Sequence, residues 1–533
     1  MTGRASTARR AACHPLALLP LVLPAGACTG NGAELVPLTD AYSLLIENGT
    51  LVDGTGAPAR SADVLILGDS IAFVGDVDAD TIAVRETFDA SGLVVAPGFI
   101  DAHAHGDPVA HPAFPNFLAM GVTTILLGQD GGSPPVAGLA AHLDSVDAAR
   151  PDVNVAYLIG HNTIREESGV GFGAPSQSDL ARLADLVQQG LEAGAFGLST
   201  GLEYDPGSRA EIAELVAIAE PVAAAGGVVT SHMRSEDADR VAASLDELLE
   251  QGRRARARVH VSHIKVVLAD DTARAGALLA RMAAARDAGI SVTADVYPYV
   301  ASYTGIGLLF PAWAKPPNDY AAVVASRRGE LAAHLRNRVE GRNGPEATLF
   351  GSGKHTGRTL AEVAAAEGRP YEDVLIDIGP GGASAAYFVM AEPVMRRFLA
   401  DPHVAVSSDG SPTMQHPRGH GAFARVIGRY VVEDASLDLA EAVRKMSGLT
   451  ASIFRLDDRE VLRRPRGRLE AGFAADVVAF DPGAIRDRAT FEAPHVPAAG
   501  MRAVWVNGQR AWSEGEPVGE AGRGAGRALR ARP

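Results

Sequence analysis

The chain has 533 residues, 47% of them hydrophobic and 21% charged, with a formal net charge of −15 at pH 7 and only two cysteines. That length exceeds a single small domain but fits one α/β barrel with a smaller companion, and the apolar content supplies a large core. The acidic balance excludes a general binder of nucleic acid, and two cysteines exclude a disulfide scaffold, while a local cationic pocket for a small acidic ligand stays open.

Residues 1–28 read as an export signal. Arg4, Arg9 and Arg10 precede an apolar run over 16–24, too short to span a membrane in a mature protein, and then Ala25-Gly26-Ala27 before Cys28. A cysteine after small residues resembles the acylated amino terminus of a bacterial lipoprotein, although Ala25 stands where leucine is usual. The expected location is therefore periplasmic or cell-surface, with a lipid anchor at Cys28; a soluble secreted protein is the alternative. Cys13 is removed in either case, so thiolate catalysis and thiolate metal ligation are not expected.

Residues 29–40 are polar and irregular, as in a tether. Over 41–95, short alternating segments separated by Gly and Asp predict hairpins of a small β domain, and the same character returns over 466–513. The two flanks predict one discontinuous β-sandwich domain, because isolated hairpins are marginal alone. The tail 514–533, rich in Gly and Arg, is expected to be disordered.

Between the flanks, over 96–465, eight apolar runs with polar carboxyl ends alternate with Ala-rich stretches of helical spacing. The runs are VVAPGFIDAHAH, VTTILLGQD, NVAYLIGHNT, AFGLSTGLEY, GGVVTSHMR, RVHVSHIK, ISVTADVYPY and VAVSSDG. This is the pattern of a distorted (β/α)8 TIM barrel, and the long stretch of about 311–400 predicts an inserted lid.

Active sites of such barrels lie at the carboxyl ends of the strands. Run one ends in Asp101-Ala102-His103-Ala104-His105, where alternation places both imidazoles on one face and lets Asp101 orient one of them. Asp130 follows run two, Glu203 run four, His232 run five, His263 run six and Asp409 run eight. Singly, a histidine at a strand end is more often structural. Four imidazoles with two or three carboxylates converging on one mouth fit one or two zinc-like ions.

APGFIDAHAH, GLSTGLEYDPG, SHMRSE, VSHIK, DVYPY, SSDG and HPRGHG resemble the amidohydrolase superfamily, and within it the N-acyl-D-amino-acid deacylases, over about residues 42–512. The resemblance implies a zinc-dependent hydrolase of N-acyl-D-amino acids or related small amides, in which a metal-activated water attacks the amide. It implies His103, His105 and Asp409 as ligands of one Zn2+ and His232 and His263 as ligands of another, with Asp409 also the proton carrier. Where the family's second strand ends in a metal-binding cysteine, this chain has Asp130, a harder oxygen ligand that can bridge two metals. Glu203 stands where other amidohydrolases place a bridging carboxylated lysine or glutamate and competes for that role; neither position is a lysine.

By the same resemblance, Lys265 and Arg418 hold the substrate carboxylate together with a tyrosine of the YPY segment, here Tyr299; a salt bridge to a neighbouring acid is the bland alternative for either base. His161 or Tyr297 is expected to help polarise the amide carbonyl. The rival readings are a dihydroorotase-like or hydantoinase-like cyclic amidase, a dipeptidase, and a solute-binding lipoprotein without turnover. A cyclic imide would not need both Lys265 and Arg418.

Overall fold

Eight short parallel strands follow one another in chain order: β1 Phe99–Asp101, β2 Val122–Leu127, β3 Asn154–Tyr157 with its continuation Ile159–Gly160, β4 Gly197–Gly201, β5 Val228–His232, β6 Arg258–Val261, β7 Val292–Val296 and β8 Val404–Val406. The computed structural model describes residues 42–519 and 524–532, so the export signal, Cys28 and the tether lie outside the described residues. Each strand pairs in parallel with the next. A parallel bridge between Ala104 and Gly410 returns the end of β8 to the end of β1. There the Asp409 N–H donates to His103 O and the His105 N–H to Gly410 O, both at 2.8 Å. The strands are apolar along their length because helices cover them outside and side chains fill the barrel inside, as in Val122–Leu127, where every residue is buried. Helices alternate with the strands, among them Gln177–Glu192, whose start is fixed by a Ser176/Asp179 capping box. No helix among the described residues is long and apolar enough to cross a membrane.

Run one is not a single strand. Val94–Pro97 pairs antiparallel with Val477–Phe480 in a seven-stranded sheet, and the chain enters the barrel only after Gly98. A Cβ at Gly98 would lie 2.2 Å from Thr123 Oγ1, so the crossing needs glycine. The same sheet takes Thr50–Leu51 from the first flank and Met501–Val506 and Gln509–Ser513 from the second. Facing it is a four-stranded sheet, and Leu44, Val64, Ile66, Val95, Val477 and Trp505 fill the layer between them.

The inserted unit begins before the expected residue 311 and ends before 400. Ser302–Gly305, Thr348–Phe350 and Ser384–Tyr387 form its antiparallel sheet. With the helix Tyr320–Glu340 they enclose a separate core around Leu331, Leu335, Phe350 and Tyr387. The expectation of a disordered tail is corrected over 524–532. Ala528 bridges Val155 on β3, Ala528 and Leu529 are buried, and Arg530 pairs with Asp144 and Asp147.

Candidate active site

At the carboxyl end of the barrel, side chains that follow seven of the eight strands face one cavity of about 540 Å³. Two buried acids below it hold the backbone. Asp101 Oδ1 accepts from the N–H of His103 (3.1 Å) and of Ser408 (2.9 Å), and Asp295 Oδ1 accepts from the N–H of His263 (3.0 Å). Burial pushes Asp101 up to about 7 against the pull of these hydrogen bonds. Asp101 thus fixes the His-x-His backbone rather than an imidazole. Asp130, His263 and Asp409 all have left-handed backbones, with φ of 55°, 37° and 48°. Such conformations cost about 1 kcal/mol or more each and persist where the surroundings enforce them, as at functional sites.

Asp130 stands at the centre. Its Oδ1 lies 3.4 Å from His103 Nε2, 3.3 Å from His263 Nε2 and 3.7 Å from His232 Nδ1, and its Oδ2 lies 3.7 Å from His105 Nε2. Asp409 Oδ1 is 3.2 Å from His105 Nε2 and 3.8 Å from His103 Nε2. His232 Nδ1 and His263 Nε2 are 3.0 Å apart. Donors bonded to one tetrahedral zinc at about 2.0–2.2 Å are about 3.3–3.6 Å from one another, and the separations within both sets lie around that range, so both sets fit a metal ion. His103 supports the fit independently: its Nε2 is fully buried, faces this centre and has no hydrogen-bond partner. Asp130 belongs to both sets. Glu203 instead faces the far nitrogen of His232, Nε2, at 3.1 Å. The carboxylate shared by these two sets is therefore Asp130, while Glu203 lies on the far side of His232, where it forms a further candidate set with His232 and Glu236.

Burial opposes charge on each of these groups, and for Asp130, Asp409 and His232 pairing overrides it. The neighbouring His103 holds Asp130 well below the usual carboxylate range, and Arg418 does the same for Asp409. The charge of Glu236 and hydrogen bonds to Asp130 and Glu203 push His232 up to about 10. His103, by contrast, is shifted down by burial.

Lys265 and Arg418 line the same cavity. Lys265 Nζ donates to Glu236 Oε1 at 2.6 Å, and Arg418 Nη1 lies 2.9 Å from Asp409 Oδ2. Both cations lie over the ring of Tyr297, at 5.7 and 4.6 Å from its centre.

Two expected substrate contacts are corrected. Tyr299 does not line the cavity: its hydroxyl donates to Asp487 at 3.1 Å and Arg425 stacks on its ring. Strand alternation ends at Val296, and the turn that follows Tyr297 sends the next tyrosine into the wall, leaving Tyr297 at the cavity. His161 is likewise absent from the cavity lining; its Nε2 is 2.8 Å from Glu214, which Arg165 also holds, in a buried network.

Sequence reasoning missed Glu236, Tyr204 and Arg342. Tyr204 packs its ring on His232 and joins its hydroxyl to Thr304 of the inserted unit. Arg342 reaches from the inserted unit to Asp237 at 3.0 Å. None carries a periodic signal; Glu236 was visible only as the acid inside SHMRSE.

A model of the amidohydrolase family matches residues 330–511. The N-acyl-D-glutamate deacylase of Alcaligenes xylosoxydans xylosoxydans is 36% identical over 511 residues, 91% of this chain and 97% of that protein. The D-aminoacylase of the same organism is 35% identical over 90% of this chain and 97% of its own length. Among solved structures, the N-acyl-D-glutamate deacylase of Bordetella bronchiseptica superposes with a TM-score of 0.80 at 33% identity, over 92% of this chain and all of that one. That protein was solved with zinc and a phosphonate inhibitor that mimics the tetrahedral intermediate. With this similarity running through sequence and fold alike, the chain belongs to the amidohydrolase family, among its N-acyl-D-amino-acid deacylases.

Proposed function

We propose that this protein hydrolyses the amide bond of N-acyl-D-amino acids with zinc held by His103, His105, Asp130, His232, His263 and Asp409. The observation that carries the reading is Asp409, which faces the His-x-His pair with one oxygen and Arg418 with the other, in the cavity that Lys265 also lines. Zinc, when bound, acts as a Lewis acid that lowers the pKa of a water from about 15.7 to about 7. Asp409, kept ionised by Arg418, takes a proton from the attacking water and returns it to the departing amine, which cannot leave as an anion.

Lys265 and Arg418 orient the substrate through its carboxylate. Each has donors left after its own ion pair, three on the ammonium and five on the guanidinium in all. Two cations in one cavity favour a substrate with a free carboxylate over a cyclic imide. The test is amine release from paired N-acetyl-D- and N-acetyl-L-amino acids with and without added zinc. Zinc-dependent release from the D series supports the reading, and release from neither series rejects it.

We also infer export and acylation at Cys28. The support is the order of Arg4, Arg9 and Arg10, the apolar run and the small residues before Cys28. Mass spectrometry of the membrane-extracted protein tests this: an amino terminus at Cys28 carrying acyl chains is expected, and an intact leader contradicts it.

A further inference from the structure

Four residues beyond His232, Glu236 turns into the barrel mouth and is almost completely buried. Its neighbours hold it there. The Val267 N–H donates to Glu236 O at 2.9 Å, and Asp237 bridges Val267, so the loops after β5 and β6 are zipped together at this point. Asp237, which lines the same cavity, pairs with Arg338 and Arg342 of the inserted unit, each at 3.0 Å. The dipeptide thus joins the barrel mouth to the inserted unit.

One atom of Glu236 meets two functional groups. Its Oε1 lies 2.6 Å from Lys265 Nζ and 3.1 Å from His263 Nδ1. A histidine that binds metal through Nε2 carries its proton on Nδ1, and an acceptor there fixes the ring's tautomer and orientation. Lys265, also 2.7 Å from Nδ1, has no acceptor to offer. Glu236 alone of the two can receive that proton, while the same oxygen anchors the ammonium.

We propose that Glu236 is a positioning residue that sets both the metal ligand His263 and the substrate-binding ammonium of Lys265 through one carboxylate oxygen. Removing it disturbs metal affinity and carboxylate recognition together, whereas removing Lys265 disturbs recognition alone. The Lys265 half rests on the amidase reading above; the His263 half does not.

The test compares Glu236→Gln, Glu236→Asp and Lys265→Met in the full chain. Zinc affinity is measured by competition with a chromophoric chelator, and KM and kcat are measured separately on an N-acetyl-D-amino acid. Glu236→Gln is expected to weaken zinc binding by about 10- to 100-fold, the usual cost of losing the partner behind a metal-binding histidine, and to raise KM. Glu236→Asp, one methylene short of its two partners, is expected to show both losses. Lys265→Met is expected to raise KM while leaving zinc affinity within about twofold of the parent, since Nδ1 keeps its acceptor. Parental zinc affinity in Glu236→Gln overturns the proposal. So does failure of both Glu236 variants to fold where Lys265→Met folds, which would assign Glu236 to the scaffold. Were the protein to cleave no N-acyl amino acid, the zinc measurement would still decide the His263 half.

Discussion

The two halves of the metal centre are built differently. His103 and His105 leave one loop after β1; His103 Nδ1 has no hydrogen-bond partner, and 37% of the His105 side chain is exposed. His232 and His263 end two adjacent strands, are almost completely buried, and each has a carboxylate facing its far nitrogen, Glu203 and Glu236. Rings with an acceptor behind their metal-facing nitrogen lose little freedom on binding a metal, whereas rings without one have more to be ordered by the ion itself. The second half is therefore expected to hold zinc more tightly, and Asp130, which belongs to both candidate sets, is expected to couple the two.

The largest expected effect comes from the shared residue. Asp130→Ala removes a ligand from both halves, so zinc affinity should fall by more than about 100-fold at each, a larger loss than removal of an outer-shell partner. Equilibrium dialysis against chelator measures it; one half left unaffected would show that Asp130 is not shared. Next in size is the contrast between His263→Ala and His105→Ala. The first should lose the tightly held zinc and the second should keep it, with about a 10-fold or greater difference in zinc retained at a chosen chelator concentration.

The dependence on pH sharpens the same contrast. Without metal, His232 is raised from 6.5 to about 10, so its contribution to stability is complete below pH 6.5 and disappears as pH rises through 10. Asp130 is lowered from 3.8, so its contribution is present above that value and fades as pH falls below it. Zinc must displace the His232 proton, and its affinity rises with pH by up to about tenfold per unit. The Tm gain on adding zinc should thus grow between pH 6 and pH 9; a flat gain would contradict the assignment of His232 as a ligand. The smallest effect concerns the two tyrosines. Tyr299→Phe should cost about 1 kcal/mol of stability, one buried hydrogen bond to Asp487, and leave KM unchanged, whereas Tyr297→Phe should alter substrate binding with little loss of Tm.

Position along the chain made most of the site legible, because His103, His105, Asp130, His232, His263 and Asp409 each lie at, or within four residues after, the carboxyl end of a barrel strand, where the sites of this fold sit. Position could not choose between Tyr297 and Tyr299, which both follow β7 closely. Tyr299 lies past the end of β7, and the turn, which has no period, decides which tyrosine enters the cavity. Composition misled at the tail for a related reason. Gly524 and Gly526 look like linker residues, yet a Cβ at either would lie 2.2 Å from Pro151 O or 2.1 Å from Val153 O, so they permit close backbone contact with the barrel. The boundary at Gly98 was hidden in a continuous apolar run, because both sheets that share the run are buried there. Glu236 was out of reach, since a single acid in a loop declares its role only through the distances it makes.

The most direct test of the central claim is Asp409→Asn, with zinc content and amine release from an N-acetyl-D-amino acid measured on the same sample. The account predicts turnover reduced by about 10²- to 10⁴-fold, the usual contribution of a positioned proton carrier, while the zinc held by His232 and His263 is retained. Turnover near the parental rate would contradict the role of Asp409, and loss of all zinc would contradict the difference between the two halves.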